Sequence, residues 1–138
     1  QIVQVLKNTF AMSALTLGTS WLPMLFAVFL NEDDRNYVEP DISVICDSSK
    51  VDNRGYQGAP DFIIEIVSPS SQRMDYLTKL FKYRTAGVRE YWIVNPLQRT
   101  VQVYSFEGTE DSSQYSFDDE ITVTIYGDLK ICVADLLK

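Results

Sequence analysis

Two carboxylate residues, Asp41 and Glu65, interrupt segments that otherwise read as β-strands. Asp41 lies in the segment Val38–Ile45, and Glu65 lies within the otherwise apolar run Phe62–Val67. A carboxylate buried in a strand costs free energy unless a cation or hydrogen-bond donor meets it. If the two strands are antiparallel neighbours, both carboxylates and the carbonyl oxygen of Ile66 can converge on one metal ion. Such oxygen ligands suit Mg²⁺ or Mn²⁺, and the pair therefore predicts a metal-dependent hydrolase acting on phosphodiesters.

These carboxylates also have a purely structural interpretation. Asp41 follows Pro40 and Asp61 follows Pro60, and Asp after proline is typical of a turn or a strand start. For Asp61 this is the interpretation that we prefer. Glu65 is harder to explain in this way, because its neighbours in the run are all apolar. From the residues alone, the metal site and the structural interpretation of the pair both stay open.

A lysine is the expected partner of such a pair, since its charge can orient water or offset charge that develops on a phosphate. The segment after the second strand is predicted to be helical. On it, Asp75, Lys79 and Tyr83 recur every four residues and so lie near one face. Lys79 can reach back towards the strand carboxylates, and Lys82 is the competing candidate. The Asp75–Lys79 spacing is equally typical of a surface ion pair worth about 0.2–0.5 kcal/mol.

The composition limits the chemistry that this chain can perform. Its 138 residues include no histidine, which excludes Ser-His-Asp and Cys-His catalysis and any zinc site with His ligands. The net charge of −7 is unfavourable for a stand-alone nucleic-acid-binding protein but compatible with a nuclease that has a local basic cleft. Five basic residues within one short stretch could contact phosphates or form the solvated face of a helix: Arg73, Lys79, Lys82, Arg84 and Arg89.

The hydrophobic pattern predicts one α/β domain over residues 1–138, with a mixed sheet and the element order α-β-β-β-α-β-β-β-α. Gly87 is the predicted C′ residue of the second helix. Residues 107–116 are predicted to be a mobile polar loop. The predicted helices cover residues 2–17, a segment capped by residues 68–71 and ending near 86, and residues 132–137. The predicted strands cover residues 24–30, 37–46, 62–67, 90–94, 100–106 and 121–125, with a hairpin turn over 95–99.

Two further features bear on the compartment. No charged residue occurs from Asn8 to Leu30, a length that could span a bilayer. Gly18 and Pro23 interrupt this stretch and it has no Lys- or Arg-rich flank, so a helix followed by a strand explains it better. Cys46 and Cys132 lack metal-binding spacing and are expected to be free thiols. We therefore expect a cytoplasmic protein that does not enter a membrane.

Together these residues resemble the Uma family of endonucleases, which falls within the PD-(D/E)xK, or restriction-endonuclease-like, superfamily. The resemblance runs through most of the chain. The residues that carry it are Pro40-Asp41, Ala59-Pro60-Asp61, Glu65–Ser70, Asp75, Lys79, Tyr83, Ala86–Val88 and Glu90–Pro96. It implies a mixed β-sheet core flanked by helices and Mg²⁺- or Mn²⁺-dependent hydrolysis of DNA phosphodiester bonds. A homodimer is expected because duplex cleavage needs two sites.

The resemblance also implies roles for individual side chains. Asp41, Glu65 and the Ile66 carbonyl would bind the metal, and Lys79 would activate water or stabilise charge. Among the supporting residues, Asp75 would orient this lysine and Tyr83 would support the pocket.

An alternative is a catalytically inactive binding or scaffold domain, which is supported by the net charge of −7 and by a departure from the family pattern. Position 67 is Val where the superfamily motif has Lys. We also expect that an N-terminal segment carrying a further Glu, usual in the family, is missing here.

Overall fold

The structure, a computed structural model, describes residues 2, 4–9, 27–30, 37–45, 48–70, 73–107, 111–127 and 129–138. The fold is mixed α/β, with strands flanked by helices, as predicted. The strands are β1 (Val28–Phe29), β2 (Ile42–Val44), β3 (Tyr56–Gln57), β4 (Phe62–Ile66), β5 (Glu90–Asn95), β6 (Thr100–Ser105), β7 (Asp111–Ser116), β8 (Ile121–Thr122) and β9 (Lys130–Ile131). The helices are α1 (residues 4–9), α2 (Arg73–Ala86) and α3 (Val133–Leu136).

The central sheet has the strand order β2-β4-β5-β6-β7. β4 and β5 run parallel, whereas the other neighbouring pairs are antiparallel. The parallel pair requires a crossover connection, and α2 provides it. Two small sheets, β1 with β3 and β8 with β9, lie outside the central one. The sheet is therefore mixed, as the sequence predicted.

Alternation along β4 divides the hydrophobic core into two clusters. Phe62 and Ile64 pack on one side of the sheet with residues that include Leu6 of α1. Ile63 packs on the other side with Tyr83 of α2 and Tyr91 of β5. Because side chains alternate along a strand, Glu65 shares the face of Ile63 and lies under α2. This face carries the predicted site.

One prediction about the elements is wrong. Asp111–Ser116 is not a mobile loop but forms β7, which pairs with β6 over its whole length. The segment contains a single large apolar side chain, that of Tyr115, so it lacks the apolar alternation that identifies a strand. Its backbone hydrogen bonds to β6, rather than burial of its side chains, hold this edge strand in place.

Other predicted elements agree in position and differ in length. The strand predicted over 37–46 is reduced to β2, with an isolated bridge from Val38 to Val28. The strand predicted over 121–125 is reduced to β8, which is followed by a 3₁₀ turn at Thr124–Tyr126. Predictions for residues 10–26, Cys46 and Ser71 lie outside the described residues. In the part of the chain that the structure describes, no helix is long and apolar enough to cross a membrane.

Glu90 is a second buried carboxylate, on the opposite face of the sheet from Glu65. Its two oxygens accept hydrogen bonds from the indole N–H of Trp92 and from the backbone N–H of Ile125. Burial raises the pKa of Glu90, and these donors partly offset the effect. Both oxygens are thus engaged in joining β5 to the 3₁₀ turn after β8, which is a structural role.

Gly87 ends α2 as predicted. Its φ of 103° lies in the region that favours glycine, and the N–H of Val88 donates to the carbonyl of Tyr83 over 3.1 Å. The N–H of Gly87 also donates to the Arg84 carbonyl, which completes a Schellman motif. The motif fixes the last turn of the helix, where Tyr83 faces the sheet.

We expect Gly87→Ala to lower the free energy of unfolding by about 1–2 kcal/mol, because an L side chain is strained at this φ. The new Cβ would meet no atom within 4 Å, so the loss would come from the backbone alone. Urea denaturation measures it, with Thr85→Ala on the exposed face of α2 as the control. Equal stability of the two variants would contradict this account of the helix end.

Candidate active site

Sheet register brings Asp41 and Glu65 together. Ile42 pairs with Ile64 in the antiparallel β2–β4 ladder, which places Asp41 opposite Glu65 at the end of both strands. The Oδ2 atom of Asp41 accepts a hydrogen bond of 2.7 Å from the backbone N–H of Ile66. This bond fixes one oxygen of Asp41 at the carboxyl end of β4, beside the Glu65 side chain.

Glu65 is held by donors from α2. Only 4% of its surface is exposed, and its Oε1 atom accepts a 2.8 Å hydrogen bond from the hydroxyl of Tyr83. The Nζ atom of Lys79 lies 3.4 Å from the same oxygen. Burial raises the pKa of Glu65, Lys79 and Tyr83 act in the opposite direction, and the negative charge of Asp41 adds to the rise. The site therefore has an excess of negative charge that a cation would relieve.

The structure distinguishes the two candidate lysines by position. Lys79 reaches the carboxylate, whereas Lys82 is exposed on the outer side of α2 beside Leu77 and Phe81. Asp75 is exposed, and among the described side chains no ion pair joins it to Lys79. The role of Asp75 in orienting this lysine thus stays a prediction without a contact to support it.

A tyrosine that the sequence analysis did not assign to the site lies beside it. Tyr91 on β5 is fully buried, and its hydroxyl has no hydrogen-bond partner within the described ranges. Its ring meets that of Tyr83 edge to face, with centroids 4.9 Å apart. Burial, followed by the charge of Glu65, raises the pKa of Tyr91, so the hydroxyl keeps its proton. Nothing in the sequence distinguishes Tyr91 from a core aromatic residue, because it lies in an ordinary strand pattern.

The donor set fits a hard divalent cation in part. Asp41 and Glu65 contribute carboxylate oxygens, the ligand type that Mg²⁺ and Mn²⁺ prefer. Within the described ranges, no group of three or more His, Cys, Asp or Glu residues is placed to hold a metal. Mg²⁺ commonly binds through one or two carboxylates and keeps several waters, so two are sufficient. A metal contact of the Ile66 carbonyl stays a prediction.

Asp61 lies at the opposite end of β4 from this pair. Its carboxylate forms an ion pair with the guanidinium of Arg89, at 3.4 Å, and Arg89 also binds Glu107 at 2.7 Å. The backbone N–H groups of residues 89 and 90 both donate to the Asp61 carbonyl. Asp61 therefore organises the start of β4 and takes no part in the candidate site.

The chain is similar to known proteins in sequence and in fold. The family model Uma2, described as "Putative restriction endonuclease", matches residues 7–131. A solved structure of "a putative nuclease belonging to DUF820" from Anabaena variabilis ATCC 29413 is similar, with a TM-score of 0.63 and 22% sequence identity. That match covers 82% of this chain and 65% of the other, so this chain spans less than two thirds of its length. At this identity the match establishes a shared fold. No curated protein matches the chain.

Glu65→Gln should preserve the hydrogen bond from Tyr83 while removing the buried charge. The folded-state pKa of Glu65 is raised, so the folded protein binds the proton more tightly and its stability falls as pH rises from about 4.5 through the folded value. We expect the variant to lack this loss of stability. At pH 8 its free energy of unfolding should exceed that of the wild type by on the order of 1 kcal/mol.

Urea denaturation from pH 4 to pH 8 in the presence of EDTA measures this difference. Glu90 is present in both proteins, so its contribution to the pH dependence of stability cancels when the two are compared. A variant that is less stable than the wild type at pH 8 would show that Lys79 and Tyr83 more than offset the burial of Glu65.

Proposed function

The chain belongs to the Uma2 family, and we propose on that premise that it is a metal-dependent endonuclease that hydrolyses phosphodiester bonds in DNA. The observation that supports this most directly is the contact of Lys79 with Glu65, beside Asp41. A carboxylate pair with a nearby lysine is the set of groups that phosphodiester hydrolysis requires: oxygen ligands for a metal and a cation for developing charge.

Mg²⁺ or Mn²⁺ is the proposed cofactor. Asp41 and Glu65 would hold it, and the carbonyl of Ile66 is the proposed third protein ligand. When bound, such an ion polarises the phosphodiester and makes water more acidic. The raised pKa of Glu65 supports the assignment, because a divalent cation would stabilise the ionised carboxylate that burial disfavours.

Lys79 is the proposed catalytic lysine. The superfamily motif has a lysine two residues after the glutamate on the strand, where this chain has Val67. From α2, Lys79 supplies the same charge to the same carboxylate from a different element. Its side chain is 36% exposed, so a phosphate or an attacking water can reach the ammonium group. It would orient that water or stabilise charge on the phosphate oxygens.

Tyr83 and Tyr91 are proposed as positioning residues. The hydroxyl of Tyr83 donates a hydrogen bond to one oxygen of Glu65. This bond fixes the orientation of the carboxylate and therefore also the position of its second oxygen. Burial and the neighbouring Glu65 raise the pKa of Tyr83, so it stays a donor at any physiological pH. The hydroxyl of Tyr91 has no acceptor among the described residues, and we propose that it donates a hydrogen bond to a water or a phosphate oxygen when the substrate is bound.

A scaffold protein without turnover is the alternative that the sequence keeps open. Its support comes from the net charge of −7 and from Val67. A scaffold has no need for Mg²⁺ or Mn²⁺ at Asp41 and Glu65, so metal-dependent cleavage separates the two functions. DNA as the substrate, a homodimer and a cytoplasmic location are parts of the proposal that follow from the family.

Cleavage of supercoiled plasmid and of single-stranded DNA with Mg²⁺ or Mn²⁺ tests this function. We expect the wild type to nick DNA only with metal, and Asp41→Asn and Lys79→Ala each to lower the rate at least 100-fold, since each removes a charge from the site. Lys82→Ala is the matched control, because it removes the same charge from the outer side of α2, and its rate should stay within about two-fold.

The purified protein should include all residues of the natural chain. If Lys79→Ala and Lys82→Ala lower the cleavage rate equally, the loss in Lys79→Ala would reflect weaker electrostatic attraction of DNA and not a catalytic role of Lys79. A folded wild type that cuts none of these substrates with either metal would favour the scaffold.

Tyr91→Phe should separate activity from stability. Removing a buried hydroxyl without a partner should raise the free energy of unfolding by about 1 kcal/mol. If the hydroxyl donates a hydrogen bond to a reacting group, kcat should fall about ten-fold. This factor corresponds to the loss of one hydrogen bond of about 1.4 kcal/mol in the transition state. Thermal melts and steady-state kinetics measure the two effects, with Tyr115→Phe on β7 as control. Unchanged kcat in Tyr91→Phe would remove Tyr91 from the site.

A further inference from the structure

A cavity of about 570 Å³ opens between α2 and the sheet, on the side of Glu65 away from Asp41. Val67 and Ile93 contribute to its floor, and Arg73 and Tyr76 of α2 form one wall. Its volume lies within the range of about 300–1,000 Å³ that is typical of small-molecule sites. Its polar uncharged lining consists of Asn95, Gln98, Thr100, Gln102 and Gln114. We call this cavity the amide groove.

The sheet register connects the amide groove to the carboxylates. Glu65 pairs with Ile93, Ile93 with Gln102, and Gln102 with Gln114. These residues form one row across β4, β5, β6 and β7, on the face that carries α2. Neighbouring strands lie about 4.8 Å apart, so Gln102 is about 10 Å from Glu65 along the row. A ligand in the amide groove is therefore adjacent to the proposed reaction centre.

The lining indicates what kind of group the amide groove accepts. A glutamine amide presents one donor and one acceptor side by side, which matches the edges of nucleic-acid bases. Among the described lining residues, Arg73 is the one with a charge, so the amide groove is poorly suited to a run of phosphates. Part of the lining is already engaged, because the side-chain Oδ1 atom of Asn95 accepts hydrogen bonds from the backbone N–H groups of Leu97 and Gln98.

Tyr76 joins the amide groove to the active site. Its half-buried ring lines the amide groove, and the Nζ atom of Lys79 lies 5.8 Å from the ring centroid. An aromatic ring in this position can stack on an unpaired base. A nucleotide stacked here would have its phosphate on the side of Lys79.

We propose that the amide groove binds an unpaired nucleotide next to the scissile phosphate, so that the protein acts on single-stranded or locally unpaired DNA. This inference rests on the proposed nuclease function and adds its substrate class. In a duplex, the Watson–Crick edges are paired and the bases are stacked, so a single base cannot enter a cleft between a helix and a sheet. A single-stranded substrate also needs only one cut, which does not require the two sites of a dimer.

Two measurements on the full chain test the inference. The first is cleavage with Mg²⁺ of three labelled 30-mers: single-stranded, fully paired, and paired with a central unpaired bulge. The second is binding of a labelled single-stranded 12-mer in EDTA, followed by fluorescence anisotropy. Both are made on the wild type, on the double variant Gln102→Ala with Gln114→Ala, and on Ser113→Ala. Ser113 lies on β7 opposite Val103, so its side chain is on the other face of the sheet.

We expect the wild type to cut the single-stranded and bulged DNA at least ten-fold faster than the duplex. The double variant should lose about ten-fold in rate on these substrates and about ten-fold in affinity for the 12-mer, and its rate on duplex should not change. Ser113→Ala should behave as the wild type. A double variant with wild-type affinity, or a wild type that cuts duplex as fast as single strands, would overturn the inference and leave the nuclease function intact.

Failure of the nuclease function gives a different result. A wild type that cuts no substrate but binds the 12-mer, with affinity lost in the double variant, would refute the nuclease and support the amide groove as a nucleic-acid site. Tighter binding of a single-stranded RNA 12-mer of the same sequence would overturn the assignment to DNA.

Discussion

Burying the carboxylate of Glu65 in the middle of a sheet costs free energy, and the elements around β4 are arranged so that this charge can persist. α2 crosses from β4 to β5 on the side where Glu65 points and delivers both Tyr83 and Lys79 to one carboxylate oxygen. β2 runs antiparallel to β4 and places Asp41 directly opposite Glu65 in the neighbouring strand. The Schellman motif at Gly87 fixes the helix turn that carries Tyr83. The crossover, the register and the helix end thus all bear on the Glu65 side chain.

Glu65 and Glu90 show how a buried carboxylate that is proposed to bind a metal differs from one with a structural role. Both are almost fully buried, and burial raises the pKa of each. Each oxygen of Glu90 accepts a hydrogen bond from an N–H group of the fold. The contacts of Glu65 within the described residues converge on Oε1, and a second carboxylate adds repulsion. Glu65 is therefore less completely compensated within the protein, which is typical of groups that await a ligand.

Much of the fold was predictable because its central elements obey simple rules. β4 is apolar apart from Glu65, α2 ends at a glycine, and β5 and β6 flank a four-residue turn over residues 96–99. β7 was not predictable, because an exposed edge strand needs no apolar alternation and depends on hydrogen bonds to its neighbour.

The candidate site was predictable in part for similar reasons. Glu65 is visible in the sequence as a charge within an apolar strand, and Lys79 as a residue spaced to face it. Tyr91 and the row from Glu65 to Gln114 depend on which residues lie opposite one another in neighbouring strands. That register depends on how distant strands pair in the folded protein, so no local sequence pattern predicts it.

The most direct test of this account is the binding of Mn²⁺, followed by electron paramagnetic resonance, in the wild type, Asp41→Asn and Asp61→Asn. The two variants remove the same charge, one beside Glu65 and one at the opposite end of β4. The account predicts one bound ion in the wild type and in Asp61→Asn, and loss of at least ten-fold in affinity in Asp41→Asn. Equal affinity in all three proteins would contradict a metal site formed by Asp41 and Glu65.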